Sequence, residues 1–519
     1  MERPSDEKKM VRETLLINKN PKGGLRTLPF IIANEAFENM ASNGLMPNMI
    51  LYLCREYNME TTAATNVLFI WTAVTNFVPI LGAFLADSCM GRYPMIGFGC
   101  IISLLAAAYG HPLVFGTDQL DKGNGAKNAG ALQSYFSWYY VSTAAASMLS
   151  ATFIVYIQDN LGWKVGFGIP AVIMLLSALS FFTASSFYVK PKANTSLISG
   201  LIQVIVASYK NRNMKLSSQA TEEMYHKRKG SMLLVPSENL RHPEEDSTTM
   251  PWSLRTVDQV EELKALIKII PMWSTGIILA GTMSQSSFLV LQASSMDRHI
   301  SPNFEIPSGS FIIFPVITVT LWIGFYDRIL LPLASKIKGK PCQLTVKQRL
   351  GIGLLCCTAS MAAWAIVEGI RRETAISEGI SDDPRGVVKM SAMWLLPYLV
   401  LCGLAAAFNA IGQTEFYYIE LPKSMSSIAS TLLGVGMSVA SLVASFVMNT
   451  VDDITKRGGN GGWIPSNINK GHYDYYYWLL AGLNMANFIY FLECCKAYGP
   501  CKGLVSKPLG EKDGTDEEG

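Results

Sequence analysis

Two carboxylates three residues apart lie in the first apolar stretch of the chain. Glu35 and Glu38, in NEAFENMASNG, share one face of a helix because residues three apart are neighbours on its surface. Carboxylates inside a membrane segment are energetically costly and are typical of proton or ion pathways. We therefore expect both to handle protons, although a structural pair satisfied by neighbouring polar groups stays an alternative. A third carboxylate, Glu415, lies within a later apolar stretch, and Glu420, near the end of that stretch, is expected to be solvated.

The composition is that of a polytopic membrane protein. Of the 519 residues, 50% are hydrophobic and 16% are charged, and the mean hydropathy is +0.24. Soluble proteins have about 25% charged residues, whereas each membrane crossing needs about 20 mostly apolar residues in a helix that satisfies its own backbone. The net charge of +3, without basic runs interleaved with aromatics, argues against a nucleic-acid partner. The expected partner is the lipid bilayer.

No enzyme motif accompanies these segments. The ten cysteines are scattered without metal-type spacing, and we find no metal-ligand cluster, nucleophile elbow or phosphate-binding loop. We therefore expect neither a cofactor nor an enzymatic activity.

Eleven apolar segments divide into two groups around a polar stretch. Basic residues at the N-terminus and in this stretch place both in the cytoplasm by the positive-inside tendency, which requires an even number of crossings between them. Five segments precede the stretch and six follow it. A short amphipathic helix is also expected near 197–209. The expected organisation is a cytoplasmic tail (1–25), an N-terminal helical bundle (26–189), a cytoplasmic linker (190–260), a C-terminal helical bundle (261–498) and a cytoplasmic tail (499–519). The eleven segments are 28–54, 62–86, 93–118, 131–157, 165–189, 263–291, 308–332, 350–367, 391–418, 428–450 and 475–493.

A polar loop motif follows the second segment. In GAFLADSCMGRYPMI, the residues Gly82, Asp87, Gly91 and Arg92 resemble the loop motif of the major facilitator superfamily. Glycine permits a tight turn. The carboxylate and guanidinium can hold neighbouring helix ends in one transporter state until they release.

Several blocks in order resemble one family. LQSYFSWYYVS, KIIPMWSTGI, GFYDRILLPLASKIKGKP and NINKGHYDYYYWLL are similar to blocks of the plant nitrate transporter 1/peptide transporter family, in the proton-dependent oligopeptide transporter branch of the major facilitator superfamily. GLMPNMILYL and WKVGFGIPA resemble its low-affinity nitrate transporter subgroup most. The resemblance implies an all-α fold of two six-helix bundles, with a central cavity that opens alternately to each side.

The resemblance also implies a function. We expect a multi-pass secondary active transporter, in the plasma membrane, that carries nitrate or a related small solute by proton-coupled symport; homo-oligomer formation stays open. The family motifs place gating or charge-pair roles on Asp87, Arg92 and Glu415. The residues expected to line the cavity are Trp138, Tyr139, Thr282 and Ser286.

Two departures concern coupling and substrate. The family's E-x-x-E-[R/K] motif here ends in Asn39 after Glu38. Coupling with a shifted pH response and loss of coupling both stay open. The helix-seven histidine of the family's nitrate site is absent, since GTMSQSSF occupies the matching region. Contacts to nitrate there would come from neutral groups such as Thr282, Gln285 or Ser286.

A third departure lies in CIISLLAAAYGHPLVFGTDQL. It resembles helices three and four of the family with their middle missing near 105–110, which leaves about 11 spans. The family's helix-four cation would fall on Tyr109, so Glu415 is expected to lack a partner. A single crossing here would invert every later span, whereas a re-entrant path would preserve their orientation, and we favour re-entry. The alternative function is a transport-inactive truncated isoform that associates with full-length relatives.

Overall fold

A computed structural model describes residues 26–86, 90–106, 138–139, 141–189, 204, 206, 257–339, 344–457 and 462–499. Within these residues the chain is almost entirely helical. Each of the eleven apolar segments contains a described helix, as expected for stretches that must satisfy their own backbone hydrogen bonds in lipid.

The described part of the first bundle contains six helices. The expected segment 28–54 is two helices, because the chain bends at Met46–Asn48 around Pro47. A π-helical turn at Ser150–Ile154 interrupts the fifth helix. The six helices are α1 (Leu28–Leu45), α2 (Met49–Glu56), α3 (Thr61–Leu85), α4 (Arg92–Ala106), α5 (Val141–Asn160) and α6 (Trp163–Thr183).

Within residues 257–339, 344–457 and 462–499, the second bundle contains eight α-helices and four short strands. A capping box formed by Thr345 and Gln348 begins one of the long helices. The parallel pair β1–β4 and the antiparallel pair β2–β3 lie in the connections. The helices are α7 (Val257–Met283), α8 (Ser286–Ser294), α9 (Ile313–Phe325), α10 (Leu331–Lys338), α11 (Val346–Ser377), α12 (Leu396–Glu420), α13 (Ser426–Arg457) and α14 (Tyr473–Tyr498), and the strands are β1 (Met296–Asp297), β2 (His299–Ser301), β3 (Phe304–Glu305) and β4 (Val388–Ser391).

The helices have the length and the surface of membrane spans. Nine helical stretches among the described residues are long and apolar enough to cross a bilayer. Large apolar side chains such as Leu321, Phe446 and Ile489 face outward, as expected for surfaces against lipid. Inside the second bundle, Trp364 stacks between Tyr398 and Tyr477, with ring centroids 4.3 Å and 3.8 Å apart. The all-α polytopic fold is therefore confirmed.

Helix directions bear on the missing helix-four region. The Ser180 hydroxyl donates to Phe30 O near the start of α1, and the Tyr93 hydroxyl lies 2.6 Å from Ser185 Oγ at the start of α4, so α6 is antiparallel to both. A reversal at Gly162, with φ of 82°, joins α5 to α6. Consequently α4 and α5 run in the same direction, as re-entry requires and as a single crossing would not allow. The connection, 107–137, lies outside the described residues.

The second bundle packs on the first with a defined orientation. Helix α3 is antiparallel to α13, since Glu60 contacts Lys456 and Asn76 O lies near Gly434. Helix α7 is parallel to α13, since Ser424, just before α13, donates to Glu262 near the start of α7, and Trp273 further along α7 donates to Leu432 O. Residues 26, 189 and 257 therefore lie at one end of the bundles, here called the proximal end; the opposite end is the distal end. In the expected helix near 197–209, only Val204 and Val206 are described, and both are helical.

Candidate functional site

A cavity of about 810 Å³ lies between the two bundles. Its walls are largely apolar with a few hydroxyl and amide groups, which is typical of sites for small solutes. Among the described residues, the lining contains no ionisable side chain. The polar lining residues are Ser42, Asn43, Thr72, Thr75, Asn76, Ser147, Ser284, Ser286 and Ser287.

Of the residues predicted to line the cavity, Ser286 does so. Thr282 is buried within the second bundle, where its hydroxyl donates to Leu279 O and accepts from Asn484 Nδ2 at 2.7 Å. Trp138 is 67% exposed and Tyr139 is buried, and neither is among the residues that line this cavity.

Polar side chains from the first bundle line the cavity although sequence reasoning did not select them. The amide of Asn43 donates to Ser147 Oγ at 2.9 Å, which joins α1 to α5 at the cavity wall. Asn76 contributes a further amide from α3. Asn43 follows Asn39 by four residues on α1, and this repeat of amides on one helix face was the available signal.

The two carboxylates of α1 lie inside the first bundle. Glu35 and Glu38 are both only 5% exposed. The amide of Asn39 donates to Glu35 Oε1 at 2.8 Å, so a neutral amide contacts the carboxylate where the family has a cation. Ser42, which lines the cavity, follows Glu38 by four residues and Glu35 by seven, and therefore lies on the same helix face. One turn of α1, about 6 Å, separates Glu38 from the cavity wall along the helix axis.

Glu415 has a charged partner, and the prediction that it lacks one is wrong. Arg349 Nη1 of α11 donates to the Glu415 carboxylate of α12, and both side chains are partly buried. The Arg349 guanidinium also lies 5.8 Å from the centre of the Tyr326 ring. The partner comes from KQRLGIGL in the same bundle, so the charge pair is complete without helix four.

Glu420 is buried, and the expectation that it is solvated is also wrong. It is 4% exposed and accepts a hydrogen bond of 2.7 Å from the Tyr498 hydroxyl. The carboxylate thus joins the end of α12 to the end of α14.

The polar loop motif is described in part. Gly91 has φ of 82°, and its N–H donates to Ala86 O at 2.8 Å, which is the tight turn expected of a glycine. Arg92 begins α4, but its side chain and all of Asp87 lie outside the described residues. In the described ranges, no group of three or more His, Cys, Asp or Glu side chains could hold a metal ion.

The profile of the family described as "PTR2: POT family" matches residues 110–464. The chain belongs to the POT family. This POT-family chain is 45% identical to Protein NRT1/PTR FAMILY 1.2 of Arabidopsis thaliana, with 100% of this chain and 96% of the relative covered. It is also 45% identical to Protein NRT1/PTR FAMILY 1.1 of the same plant, with 96% of each covered.

Solved POT structures share the fold. A structure of an auto-inhibited POT family peptide transporter matches with a TM-score of 0.71 at 17% identity, covering 92% of this chain and 98% of that one. The POT family transporter PepTSo matches with a TM-score of 0.66 at 18% identity and the same coverage. The protein is therefore a multi-pass membrane transporter of the major facilitator fold and not an enzyme.

The alignment with FAMILY 1.2 is longer than this chain. It runs over 586 positions and includes all 519 residues, so at least 67 positions of the relative have no counterpart here.

Proposed function

We propose that this POT-family protein carries nitrate or a related small solute into the cell together with protons, at the plasma membrane, by alternating access. The observation that carries the proposal is the cavity between the bundles, lined by neutral hydrogen-bond donors, one of whose walls is α1. Nitrate is a weakly basic, weakly hydrated anion, so hydroxyls and amides can replace its hydration without a cation.

Glu35 and Glu38 are proposed to handle the protons. They share the face of α1 that reaches the cavity at Ser42, so a proton on either carboxylate changes the charge next to the substrate's path. Asn39 supports the Glu35 carboxylate with a hydrogen bond and no charge. Glu415, paired with Arg349, is proposed to act as a gate in the second bundle. Asp87 and Arg92 are also proposed to act in gating, as the loop motif indicates.

Uptake of isotopically labelled nitrate tests the proposal. Uptake should be faster at acidic than at neutral external pH, and Glu35→Gln and Glu38→Gln should each remove this difference. Ser286→Ala removes one donor from the cavity wall and should weaken nitrate affinity by about fivefold, which corresponds to about 1 kcal/mol. The matched control is Glu493→Gln, an exposed carboxylate of α14 that should leave uptake unchanged. Uptake that does not depend on pH in the unmodified protein would contradict proton coupling.

A second candidate function rests on the longer relatives. Because the relatives contain segments absent here, the chain could be a transport-inactive isoform that associates with full-length relatives. This candidate predicts no uptake by the chain alone and a lower flux when it is co-expressed with a full-length relative. The leading proposal predicts uptake by the chain alone, so the two outcomes separate them.

A further inference from the structure

Polar contacts join the two bundles at their distal end. Lys456 Nζ, at the end of α13, lies 2.7 Å from Glu60 Oε1, just before α3 begins. It also lies 2.8 Å from Asp452 Oδ2, one turn earlier on its own helix. Lys456 therefore connects the start of α3 to the end of α13.

About two helical turns deeper, an amide pair joins the same two helices. Asn66 Nδ2 donates to Asn449 Oδ1 at 2.6 Å, and Asn449 Nδ2 donates to Asn66 Oδ1 at 3.0 Å. The Ser445 hydroxyl donates to Asn66 Oδ1 at 2.7 Å. The two amides satisfy each other across the bundles, and separating α3 from α13 would break both hydrogen bonds.

A backbone contact comes from the loop 462–472. The N–H of Thr61, in the first turn of α3, donates to Ser466 Oγ at 3.3 Å. Such an N–H has no partner within its own helix. The loop is fixed from inside the second bundle, because the buried Arg371 donates to Asn469 Oδ1 at 2.6 Å and to Ile468 O at 2.9 Å. Ser466 is thus presented to α3 by a preformed surface.

The contact continues toward the middle of the bundles through small residues. The Ser438 hydroxyl donates to Ala73 O at 2.7 Å, and a Cβ on Gly434 would lie 3.4 Å from Asn76 O. Small side chains let helix backbones approach closely in membranes. Thr72 and Asn76, on this same stretch of α3, line the cavity. The contact between α3 and α13 therefore extends from the distal end to the wall of the cavity.

We propose that a distal latch holds the distal end closed and must separate before the cavity opens there. The latch consists of Glu60, Thr61 and Asn66 of the first bundle and Asn449, Lys456 and Ser466 of the second. Lys456 is the positioning residue at the solvent-exposed edge of the latch. Lys456 and Glu60 are 41% and 51% exposed, so their ion pair is weak and readily reversible. The Asn66–Asn449 pair lies further from water and carries the larger share of the closure.

Cysteine accessibility tests the latch without using any substrate. Thr72→Cys places a thiol in the cavity, and a membrane-impermeant maleimide is applied separately to each side of the membrane. Labelling from the distal side should be slow in the parent. It should rise several-fold in Asn66→Ala and in Glu60→Lys, which sets two lysines against each other. The double variant Glu60→Lys with Lys456→Glu restores an opposite pair across the bundles but sets a second carboxylate beside Asp452, so its labelling should fall below that of Glu60→Lys without reaching the parent rate.

Controls separate the latch from general loosening. Glu493→Lys reverses one charge of an exposed ion pair of the same 2.7 Å length within α14, which joins no bundles, and should leave labelling unchanged. The protein without Thr72→Cys measures labelling of the native cysteines. A reducible cross-linker between Glu60→Cys and Lys456→Cys should block distal labelling until it is reduced. This cross-linking test does not require Asn66→Ala to fold. Equal distal labelling in Glu60→Lys and the parent, or in cross-linked and reduced protein, would overturn the proposal.

Discussion

Removing one member of the buried Glu368–Arg371 ion pair should strongly destabilise the second bundle. Both side chains are 0% exposed, three residues apart on α11. Arg371 Nε donates to Glu368 Oε2 and Nη2 donates to Glu368 Oε1, each at 2.8 Å. The same guanidinium donates to Asn469 and Ile468, so it binds both a carboxylate and the loop 462–472. Arg371→Met keeps most of the side-chain length and removes every donor.

The expected loss in the free energy of unfolding depends on which polar groups stay buried without a partner. In Arg371→Met the Glu368 carboxylate stays buried without its partner, which typically costs about 3–5 kcal/mol. In the double variant Glu368→Met with Arg371→Met no charge remains, and only the acceptors Asn469 Oδ1 and Ile468 O lose a donor. Its cost should be about 1–3 kcal/mol. The double variant should therefore be more stable than the single variant by roughly 2 kcal/mol.

Thermal unfolding in detergent measures the difference. A loss of 3–5 kcal/mol corresponds to a fall of about 6–20 °C in unfolding temperature for a bundle of this size. All variants should be heated by one protocol, because unfolding of membrane proteins in detergent depends on heating rate when it is irreversible. Arg385→Met, at an exposed arginine in the turn before β4, is the control. The reasoning is refuted if Arg371→Met unfolds within about 2 °C of the parent, or if the double variant unfolds below the single one.

Two further predictions concern packing and pH. Gly403→Ala would place its Cβ 2.6 Å from Thr318 Cβ and should lower the free energy of unfolding by about 1–3 kcal/mol. The control is Gly324→Ala, whose Cβ would meet nothing within 4 Å. Equal unfolding temperatures for the two variants would contradict this prediction. Burial, and then the nearby Arg372, lower the pKa of His472, whose Nε2 accepts from that guanidinium at 3.1 Å. The neutral imidazole is thus favoured in the folded state, and stability should be complete above the ordinary imidazole pKa and fall as pH drops through it. His472→Gln should flatten this dependence of the unfolding temperature, and an unchanged slope would exclude His472 as its source.

Much of the fold was predictable because membrane helices are local. A long apolar stretch must form its own hydrogen bonds, so the eleven segments predict the described helices. Interruptions within a helical segment were harder to predict. The segment 263–291 contains the end of α7 and the start of α8, separated at Ser284 and Gln285, and no proline marks that interruption. Hydropathy measures average polarity and is insensitive to a two-residue change in backbone direction.

The site was predicted less well because its contacts link distant parts of the chain. The pairing of Asn39 with Glu35 spans one helical turn and could be anticipated from sequence. The pairing of Glu415 with Arg349 spans 66 residues and two helices, so only packing reveals it. Tyr498 reaches Glu420 in the same way. Sequence patterns identify which residues face a bundle interior, but the partner depends on how α11, α12 and α14 pack.

The neutral lining of the cavity has an electrical consequence. Each elementary charge that crosses the membrane gains or loses about 2.3 kcal/mol per 100 mV, so transport with a net charge responds steeply to voltage. The described lining brings no fixed charge of its own to the substrate's path. Over a complete cycle the protein returns to its starting state, so the net charge moved is that of the cargo and its protons. A nitrate carried with one proton would produce no current, and a nitrate carried with two would drive one positive charge inward. The ratio of current to labelled nitrate would therefore count the protons directly.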